Sequence, residues 1–318
     1  FMKIVFMGSP DFALPSLQRI IDSHHELLAV VSGEDKRRGR AKPPTPTPVK
    51  ALALEHGIPV ITTKSTHNSD FIESLTKLNA DLFVVVAFKV LPPSVLELSR
   101  IGSINVHASL LPKYRGAAPI HWAIAEGEEE TGCTIFFLDT KVDTGAILCA
   151  HKTHIRPNET TGDLYHRLKH VGADALSEAL AIIESGEYHL KPQDDRLATP
   201  APKVFKQDGQ LDFNQLLRTL YNQFRAMTPV PGAWVSLDGV AIKIHSVSVP
   251  SEEISIELFH KYPISSTEPG QLITENGQLY CACLDGFIRV DSFQFPSKNK
   301  VNTSDYLRSN RLDGVWNT

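Results

Sequence analysis

Two polar side chains, two residues apart in an apolar stretch, form the first candidate site. Asn105 and His107 alternate with the β-branched residues Ile104 and Val106, which is the pattern of a β-strand. Side chains two apart on a strand project to the same face, so this carboxamide and this imidazole are predicted to point together. An amide donor beside an imidazole can hold a developing oxyanion. The pair is therefore a candidate oxyanion site.

A carboxylate further along the chain is a candidate third member of this site. Asp143 lies in the polar turn Asp139–Gly145, which follows a predicted strand at Gly132–Leu138. A carboxylate can orient an imidazole and stabilise its charge, or take up a proton through water. Ser109 lacks the strand-to-helix context of a nucleophile elbow, so a covalent acyl-enzyme is disfavoured. On the residues alone, His107 is either a member of such a site or a satisfied core histidine.

The elements before this site predict an open α/β sheet. A short apolar strand at Lys3–Gly8 ends in glycine, and Asp11 is predicted to cap a helix that follows it. Leu27–Ser32 is a second buried strand. This order is the first half of a doubly wound, mostly parallel Rossmann-like sheet, in which chemistry lies at the carboxyl ends of strands. The turn at Gly8 lacks the GxGxxG fingerprint, which argues against a nicotinamide oxidoreductase.

The rest of the first domain alternates helices and strands. The run Asp81–Phe88 is continuously apolar, as expected for a strand that is buried on both faces. The other predicted elements are helices at Val49–His56, Asp70–Leu78, Pro119–Glu126 and Thr161–Ser185, and strands at Ile58–Thr62 and Ala146–His154.

The C-terminal third is predicted to be rich in short strands. We expect a catalytic domain at 1–188, a polar, proline-containing linker at 189–208 and a second domain at 209–318. Turns such as Asn276-Gly277 separate the strands, which favours a small OB-like β-barrel, a fold that often grips nucleic acid. The predicted elements are a helix at Phe213–Met227 and strands at Ala233–Leu237, Val240–Val249, Gly270–Thr274, Leu279–Leu284 and Phe287–Phe295.

The composition narrows the class of protein. With 42% hydrophobic residues the chain can bury a core, and with a net charge of −4 it would need a local basic patch to bind a polyanion. No apolar run reaches the ~18 residues that cross a bilayer, and we expect no signal peptide, so a cytoplasmic protein is predicted. Four cysteines show neither CxxC nor zinc spacing and are expected to be buried free thiols: Cys133, Cys149, Cys281 and Cys283.

A basic patch does follow the second predicted strand. Gly33–Pro48 combines five basic residues with four prolines and two acidic residues. A basic, proline-stiffened loop of this length is uncommon in a compact domain and is often functional, although charge runs also occur as plain solvated surface. We expect this loop to be mobile without a partner. Its basic residues are Lys36, Arg37, Arg38, Arg40 and Lys42.

The candidate strand and the residues after it resemble the formyltransferase family that uses 10-formyltetrahydrofolate. The shared pattern is Asn105-x-His107-x-Ser109-Leu110-Leu111-Pro112-x-Tyr114-Arg115-Gly116, followed by Asp143-Thr144-Gly145. Further segments are similar to the branch of the family that formylates methionyl-tRNA: GSPDFA from Gly8, the loop ending in Pro-Val-Lys at Lys50, RGAAPIHWAI from Arg115, Ala201-Pro202-Lys203, and Pro229-x-Pro231-Gly232-Ala233-Trp234. The resemblance covers nearly the whole chain.

This resemblance implies one reaction. The amino group of methionine on initiator Met-tRNA would attack the formyl carbon of the folate, giving formylmethionyl-tRNA for translation initiation and tetrahydrofolate. Asn105 and His107 would bind the formyl oxygen as it becomes anionic, and Asp143 would position His107 and help to remove the amine proton. No metal is expected, since the donor is already activated. We also expect a monomer, and the lack of a long apolar run predicts that it does not act at a membrane.

The resemblance places the folate between the elbow after the Asp81–Phe88 strand and the catalytic strand. The family usually carries glycine near Lys89, and the longer side chain here could narrow the pocket or point to solvent. The predicted folate contacts are Phe88, Val90, Leu91, Ser109, Leu110, Leu111 and Pro112.

For the tRNA, the resemblance aligns Arg40 with the key arginine of the family's basic loop. Basic side chains on a loop near the site can hold phosphates and splay an RNA end. A weaker basic patch lies in the C-terminal tail, where ordinary surface is the alternative: Lys298, Lys300, Arg308 and Arg311. The predicted tRNA contacts are Lys36, Arg37, Arg38, Arg40, Lys42, Lys298 and Lys300.

Other functions remain open within the family and outside it. A sugar-nucleotide formyltransferase, a glycinamide ribonucleotide transformylase and a formylfolate hydrolase would share Asn105, His107 and Asp143. The arginine-rich loop and the barrel domain favour tRNA over a small amine. A catalytically inert RNA-binding protein would not need the intact set of three residues, so an enzyme is favoured.

Overall fold

The computed structural model describes residues 1–317. Its strands are β1 (Lys3–Gly8), β2 (Glu26–Ser32), β3 (Lys36–Arg37), β4 (Pro44–Thr45), β5 (Val60–Thr62), β6 (Leu82–Val86), β7 (Gly102–His107), β8 (Glu130–Phe137), β9 (Ile147–His154), β10 (Ala233–Leu237), β11 (Val240–Ser248), β12 (Leu272–Glu275), β13 (Gln278–Ala282), β14 (Phe287–Gln294) and β15 (Val301–Asn302). Its helices are α1 (Leu14–Ile21), α2 (Pro48–Glu55), α3 (Ser69–Leu78), α4 (Pro93–Leu96), α5 (Pro119–Ala125), α6 (Thr161–Ser185), α7 (Leu217–Met227), α8 (Glu252–Lys261) and α9 (Thr303–Tyr306). None of these helices is both long and apolar enough to span a bilayer.

The chain divides into two compact units. Unit 1 consists of Phe1–Pro119, Glu130–His154 and Tyr165–Pro202. Unit 2 consists of Ile120–Glu129, Ile155–Leu164 and the chain from Lys203 onward. Each unit is therefore built from several chain segments, whereas the sequence suggested consecutive domains at 1–188 and 209–318 with a linker at 189–208. That division stays a prediction.

Unit 1 contains a seven-stranded sheet in the order β5-β2-β1-β6-β7-β8-β9. The first five strands are parallel, β8 pairs antiparallel with β7, and the edge strand β9 pairs antiparallel with β8. Every residue of β6 is buried, because this central strand pairs with β1 and β7. The predicted doubly wound, mostly parallel α/β sheet is confirmed.

One face of this sheet carries a core that reaches the candidate folate elbow. Met7 and Val85 pack with residues of α3 and with Val95 of α4. Leu91 belongs to the same buried cluster, and Phe88 packs against its edge. The elbow that follows β6 is therefore anchored on the sheet by its own apolar side chains.

Unit 2 contains an antiparallel sheet in the order β10-β11-β14-β13-β12, with β15 paired to β14. Its core includes Phe224 of α7 and Trp316 near the end of the chain. The β-rich second domain of the predicted fold class is confirmed. The helix predicted at Phe213–Met227 begins at Leu217, and α8 lies where the sequence suggested no element.

The cysteines are free thiols among the described residues. Cys133, Cys281 and Cys283 are buried, as predicted, and Cys149 is half-buried. Burial, with the nearby Glu178 carboxylate as a smaller cause, raises the pKa of Cys149 to about 12. These thiols are therefore protonated at neutral pH.

Candidate active site

Strand β7 presents Asn105 and His107 on one face, as the alternation predicted. Val106, on the opposite face, packs against α6: a Cβ on Gly172 would lie 2.8 Å from Cγ1 of Val106. The carboxamide of Asn105 is partly exposed and forms no hydrogen bond with any other part of residues 1–317. It is therefore available to a bound substrate.

The hydrogen bonds of His107 determine which of its nitrogens can act. This residue is buried, with 7% of its surface exposed. Its Nε2 lies 2.8 Å from the carbonyl oxygen of Tyr114. Because a carbonyl only accepts, Nε2 carries a hydrogen and donates it. Nδ1 is thus the nitrogen left for chemistry, and it faces Oδ2 of Asp143 at 3.8 Å.

Asp143 completes the group of three, with one oxygen engaged and one free. The backbone N–H of Gly116 donates to Oδ2 at 2.8 Å. The 3.8 Å to His107 is an ion-pair distance and is too long for a hydrogen bond. Oδ1 accepts no hydrogen bond from residues 1–317, so it remains able to take a proton. The structure thus brings His107 and Asp143 together, as the sequence predicted.

The turn that carries Asp143 depends on a glycine. A Cβ on Gly145 would lie 1.6 Å from the carbonyl oxygen of Phe137, so no larger residue fits without moving the end of β8. Asp143 itself has a φ of 56°, in the left-handed region that few non-glycine residues adopt. Such backbone strain at a polar residue is typical of a functional site.

A glutamine that the sequence did not single out holds this turn. Nε2 of Gln193 donates to the carbonyl oxygens of Asp143 at 2.9 Å and of Gly145 at 2.8 Å. Oε1 of Gln193 accepts from Arg115 Nε at 3.1 Å and Nη2 at 2.9 Å, and Arg115 also pairs with Asp195 at 2.8 Å. Gln193 therefore links the loop after β7 to the turn of Asp143. Its position in the predicted linker gave no signal of this role.

Replacing Gln193 by glutamate should lower kcat about tenfold with little change in KM, because glutamate keeps the shape but cannot donate to the two carbonyls. Val142→Ala is the matched control, since this exposed side chain lies in the same turn. Steady-state kinetics check the split between kcat and KM. An equal loss of kcat in both variants would mean that the turn is sensitive to any substitution and that Gln193 has no special role.

The loop after β7 is held rigidly by neighbouring chain. Ser109 is fully buried, and its hydroxyl donates to the carbonyl of Lys113 at 2.7 Å. Thr134 donates to the carbonyl of Ser109 at 2.6 Å and accepts from the N–H of Leu111 at 3.1 Å. Ser109 therefore shapes this loop from inside. The half-buried Leu110 and Pro112 lie closer to the surface.

The elbow after β6 is the other part of the predicted folate site. Val90 is 68% exposed, Phe88 is half-buried and Leu91 is buried. The ammonium of the exposed Lys89 donates to the carbonyls of Thr63, at 3.2 Å, and of Lys64. Lys89 thus neither points freely into solvent nor narrows a pocket by itself: it ties the elbow to the turn after β5. The hydroxyl of Thr66, from the same turn, donates to the carbonyl of Val90 at 3.0 Å.

The basic loop forms a small hairpin, in which β3 and β4 pair through Lys36 with Thr45 and Arg37 with Pro44. Its two acidic neighbours are engaged elsewhere. Asp35 pairs with Lys50 at 2.8 Å and Glu34 with Lys64 at 3.6 Å. No ion pair within residues 1–317 involves the five exposed basic side chains: Lys36, Arg37, Arg38, Arg40 and Lys42. Their positive charge is uncompensated.

The remaining predicted contacts, Lys298 and Lys300, are exposed in the turn before β15 of unit 2. Neither takes part in an ion pair within residues 1–317. Elsewhere in unit 1, His24, His25 and Glu184 bring three potential ligand atoms within 4.8 Å of one another. These residues are on the surface, and none of them belongs to the predicted site.

Comparison with known proteins gives matches over nearly the whole chain. The model of the formyl transferase family matches residues 2–180, and that of the formyl transferase C-terminal domain matches residues 203–311. The methionyl-tRNA formyltransferase of Geotalea daltonii is 40% identical over 313 residues, which are 98% of this chain and 96% of that protein. The methionyl-tRNA formyltransferase of Clostridioides difficile is 37% identical over 314 residues, 98% of each chain.

Solved structures share the fold at lower sequence identity. WlaRD, a sugar 3N-formyl transferase in the presence of dTDP and 5-N-formyl-THF, matches with a TM-score of 0.67 at 20% identity, over 94% of this chain and 99% of its own. HypX from Aquifex aeolicus in complex with tetrahydrofolic acid matches with a TM-score of 0.61 at 16% identity, over 98% of this chain and 48% of its own. These similarities concern the fold.

Proposed function

The chain belongs to the formyl transferase family, and we infer that it transfers the formyl group of 10-formyltetrahydrofolate to the amino group of methionine on initiator Met-tRNA. The observation that carries this inference is the arrangement of three side chains at the end of β7. Asn105 has an unengaged carboxamide, His107 has one free nitrogen, and Asp143 has one free oxygen. Such groups can stabilise the oxyanion and accept the proton that arise in a formyl transfer to an amine.

In the reaction, the amine nitrogen forms a bond to the formyl carbon and the carbonyl electrons move to oxygen. The tetrahedral intermediate collapses when the bond from this carbon to N10 of the folate breaks. The proton lost by the amine is returned to N10, so the products are formylmethionyl-tRNA and tetrahydrofolate. The enzyme must act on two charged groups along this path: it must stabilise the oxyanion and accept the proton that leaves the amine.

We assign the oxyanion to Asn105 and His107. The carboxamide of Asn105 can donate from the face of β7 that it shares with His107. Nδ1 can donate as well when it carries a hydrogen, because Nε2 is committed to the carbonyl of Tyr114. Donors that are already fixed in place do not have to reorient when negative charge develops on the oxygen. Oxyanion holes of this kind therefore contribute strongly to catalysis.

We assign two roles to Asp143: it stabilises the positive charge of His107, and it accepts the proton that the attacking amine loses. Its Oδ2 faces Nδ1 of His107 at 3.8 Å, close enough to stabilise an imidazolium by charge. The N–H of Gly116 fixes this oxygen at 2.8 Å. Oδ1 is left to accept the proton from the attacking amine, directly or through water.

We propose that the folate lies against the elbow after β6 and the loop after β7. Val90 offers exposed apolar surface at the elbow, and Leu110 lies half-buried in the loop after β7. The carbonyl of Val90 is fixed by Thr66, so the elbow presents a preset shape. Contacts of folate with the elbow residues and with residues 109–112 are part of the proposal.

The positive charge of the β3–β4 hairpin supports the proposal that the acceptor substrate is a polyanion. Five basic side chains without an ion pair in the described chain favour phosphates, since neutralising a phosphate releases condensed counterions. A sugar acceptor is the second candidate, because the sugar 3N-formyl transferase WlaRD shares the fold over 94% of this chain. The uncompensated charge of the hairpin favours the tRNA.

We further propose that the enzyme acts as a monomer in the cytoplasm, where translation is initiated.

Competition between acceptors tests the substrate. The protein, supplied with 10-formyltetrahydrofolate, is offered charged initiator tRNA, methionine methyl ester or a dTDP-linked amino sugar at equal concentration. We expect only the tRNA-bound methionine to be formylated at a substantial rate, because only the tRNA engages the hairpin. Faster formylation of either small amine would refute the tRNA assignment and leave the formyl-transfer chemistry in place.

A further inference from the structure

Three hydroxyl residues, Ser9, Ser32 and Thr47, lie at the base of the β3–β4 hairpin, and the proposed reaction gives them no role. Ser32 is the last residue of β2 and Thr47 is the residue before α2, so the two flank the hairpin. Their hydroxyl oxygens lie 2.5 Å apart, although the residues are 15 positions apart in sequence. Ser32 is fully buried. This hydrogen bond therefore joins the two ends of the hairpin. We call the three residues the hydroxyl clamp.

Ser9, in the turn after β1, contacts both ends of the same hairpin. Its hydroxyl oxygen accepts from the N–H of Gly33 at 3.0 Å, and its carbonyl oxygen accepts from the N–H of Val49 at 3.3 Å. The hydroxyl of Ser32 also donates to that of Ser9 at 3.4 Å. One residue of the β1 turn is therefore bonded to the chain on both sides of the hairpin.

The side-chain hydrogen bonds of the clamp form a chain with one direction. Oγ1 of Thr47 caps α2, because it accepts from the N–H of Lys50 at 3.1 Å. Thr47 can then donate its own hydrogen to Ser32, and Ser32 donates to Ser9. Loss of the Thr47 hydroxyl breaks this chain at its first link and leaves the N–H of Lys50 without its acceptor.

The clamp lies at the same edge of the sheet as the candidate catalytic residues. Ser9 follows Gly8, the last residue of β1, which pairs with Val86 of β6. Val85 of β6 pairs in turn with Asn105 of β7. Neighbouring strands are about 4.8 Å apart, so β1 and β7 are about 10 Å apart across the sheet. A hairpin that is fixed at the β1 turn is therefore held at a defined distance from Asn105.

We propose that Ser9, Ser32 and Thr47 are positioning residues for the acceptor tRNA, an inference that rests on the function proposed above. The clamp fixes the base of the hairpin, so that its five basic side chains are available to RNA phosphates without the loop first having to become ordered. Preorganisation of this kind raises affinity, because less conformational freedom is lost on binding. Ser32 is fully buried and acts on the tRNA only through the hairpin.

Thr47→Val tests the clamp, since valine keeps the branched shape and removes the hydroxyl. At saturating folate we expect the dissociation constant for Met-tRNA to rise about tenfold and kcat to change little, because ordering the loop now opposes binding. The dependence of affinity on salt should keep the slope of the wild type, since the bound complex keeps the same phosphate contacts. Thr47→Ser, which restores the hydroxyl, should restore the affinity.

Asn68→Ala is the matched control for the loss of a helix cap. Asn68 caps α3 in the same unit, where its side chain accepts from the N–H groups of Asp70 and Phe71. Both Asn68→Ala and Thr47→Val should lower Tm through the lost cap, and only Thr47→Val should weaken tRNA binding. Trypsin cleavage of the free protein gives a readout without the acceptor: Thr47→Val should be cut faster at the hairpin arginines, because the loop opens more often.

The outcomes separate this inference from the proposed function. If the wild-type protein neither binds nor formylates Met-tRNA, the proposed function fails, and the positioning role fails with it even where trypsin cuts Thr47→Val faster. If the wild type formylates Met-tRNA and Thr47→Val binds it equally tightly, only the inference is wrong. A flatter salt dependence in Thr47→Val would also contradict the inference, because phosphate contacts would then be lost from the bound complex.

Discussion

Replacing Asn105, His107 or Asp143 singly by alanine is expected to lower formyl transfer at least ~100-fold while tRNA still binds. In the proposed reaction each of these residues supplies a group that acts on the reacting atoms, whereas none of them lies in the basic hairpin. Loss of Asn105 or His107 removes a donor to the oxyanion. Loss of Asp143 removes both the counter-charge of His107 and the proposed proton acceptor.

The measurement is single-turnover transfer with saturating folate and tRNA, together with tRNA affinity for each variant. Asn105→Asp is the sharpest single change, since it keeps the size and replaces the donor by an acceptor. Ser103→Ala is the matched control: its hydroxyl is buried and unpaired on the same strand, so its removal should leave turnover intact. Near-normal turnover in all three alanine variants would place the chemistry elsewhere.

The second large effect is expected from the hairpin. Changing Arg37, Arg38 and Arg40 together to alanine should raise KM for Met-tRNA on the order of 10- to 100-fold and flatten its dependence on salt, because fewer counterions are released on binding. The turnover number at saturation should change little, since these side chains lie outside the catalytic group.

Rates at several salt concentrations check this prediction. Lys77→Ala is a suitable control, since Lys77 already pairs with Glu73 at 2.8 Å on α3. Arg40→Ala alone should show part of the effect of the triple change. An unchanged salt dependence in the triple variant would mean that the tRNA uses another surface, and Lys298 and Lys300 would then be the next residues to replace.

The sequence predicted the parts of the fold whose local pattern agrees with their burial. Helix α6 has apolar residues at a period near 3.6 over 25 residues, and its predicted bounds agree with the structure. Helix α8 was not predicted, because Ile254, Ile256 and Leu258 alternate with period two, and only Leu258 is buried. The hairpin of β3 and β4 gave no strand signal, since its four residues are all exposed.

The candidate site was predictable where its residues are neighbours in sequence. The spacing of Asn105 and His107 is a local pattern, and Asp143 was a candidate from its polar turn after a predicted strand, to which the resemblance gave a role. Gln193 could not be found in this way, because it lies 50 residues from Asp143 and only the folded chain brings them together. The hydrogen bonds from Lys89 to the carbonyls of Thr63 and Lys64 likewise span about 25 residues, so no local sequence pattern predicts them.

The most direct test of the central claim follows a labelled formyl group. The protein is incubated with 10-formyltetrahydrofolate labelled in the formyl carbon and with charged initiator tRNA, and the aminoacyl bond of the product is then hydrolysed. We predict that the label appears in formylmethionine, with one tetrahydrofolate formed for each transfer, and that His107→Ala gives almost none. Label released only as formate would contradict the account, because the protein would then be a formylfolate hydrolase.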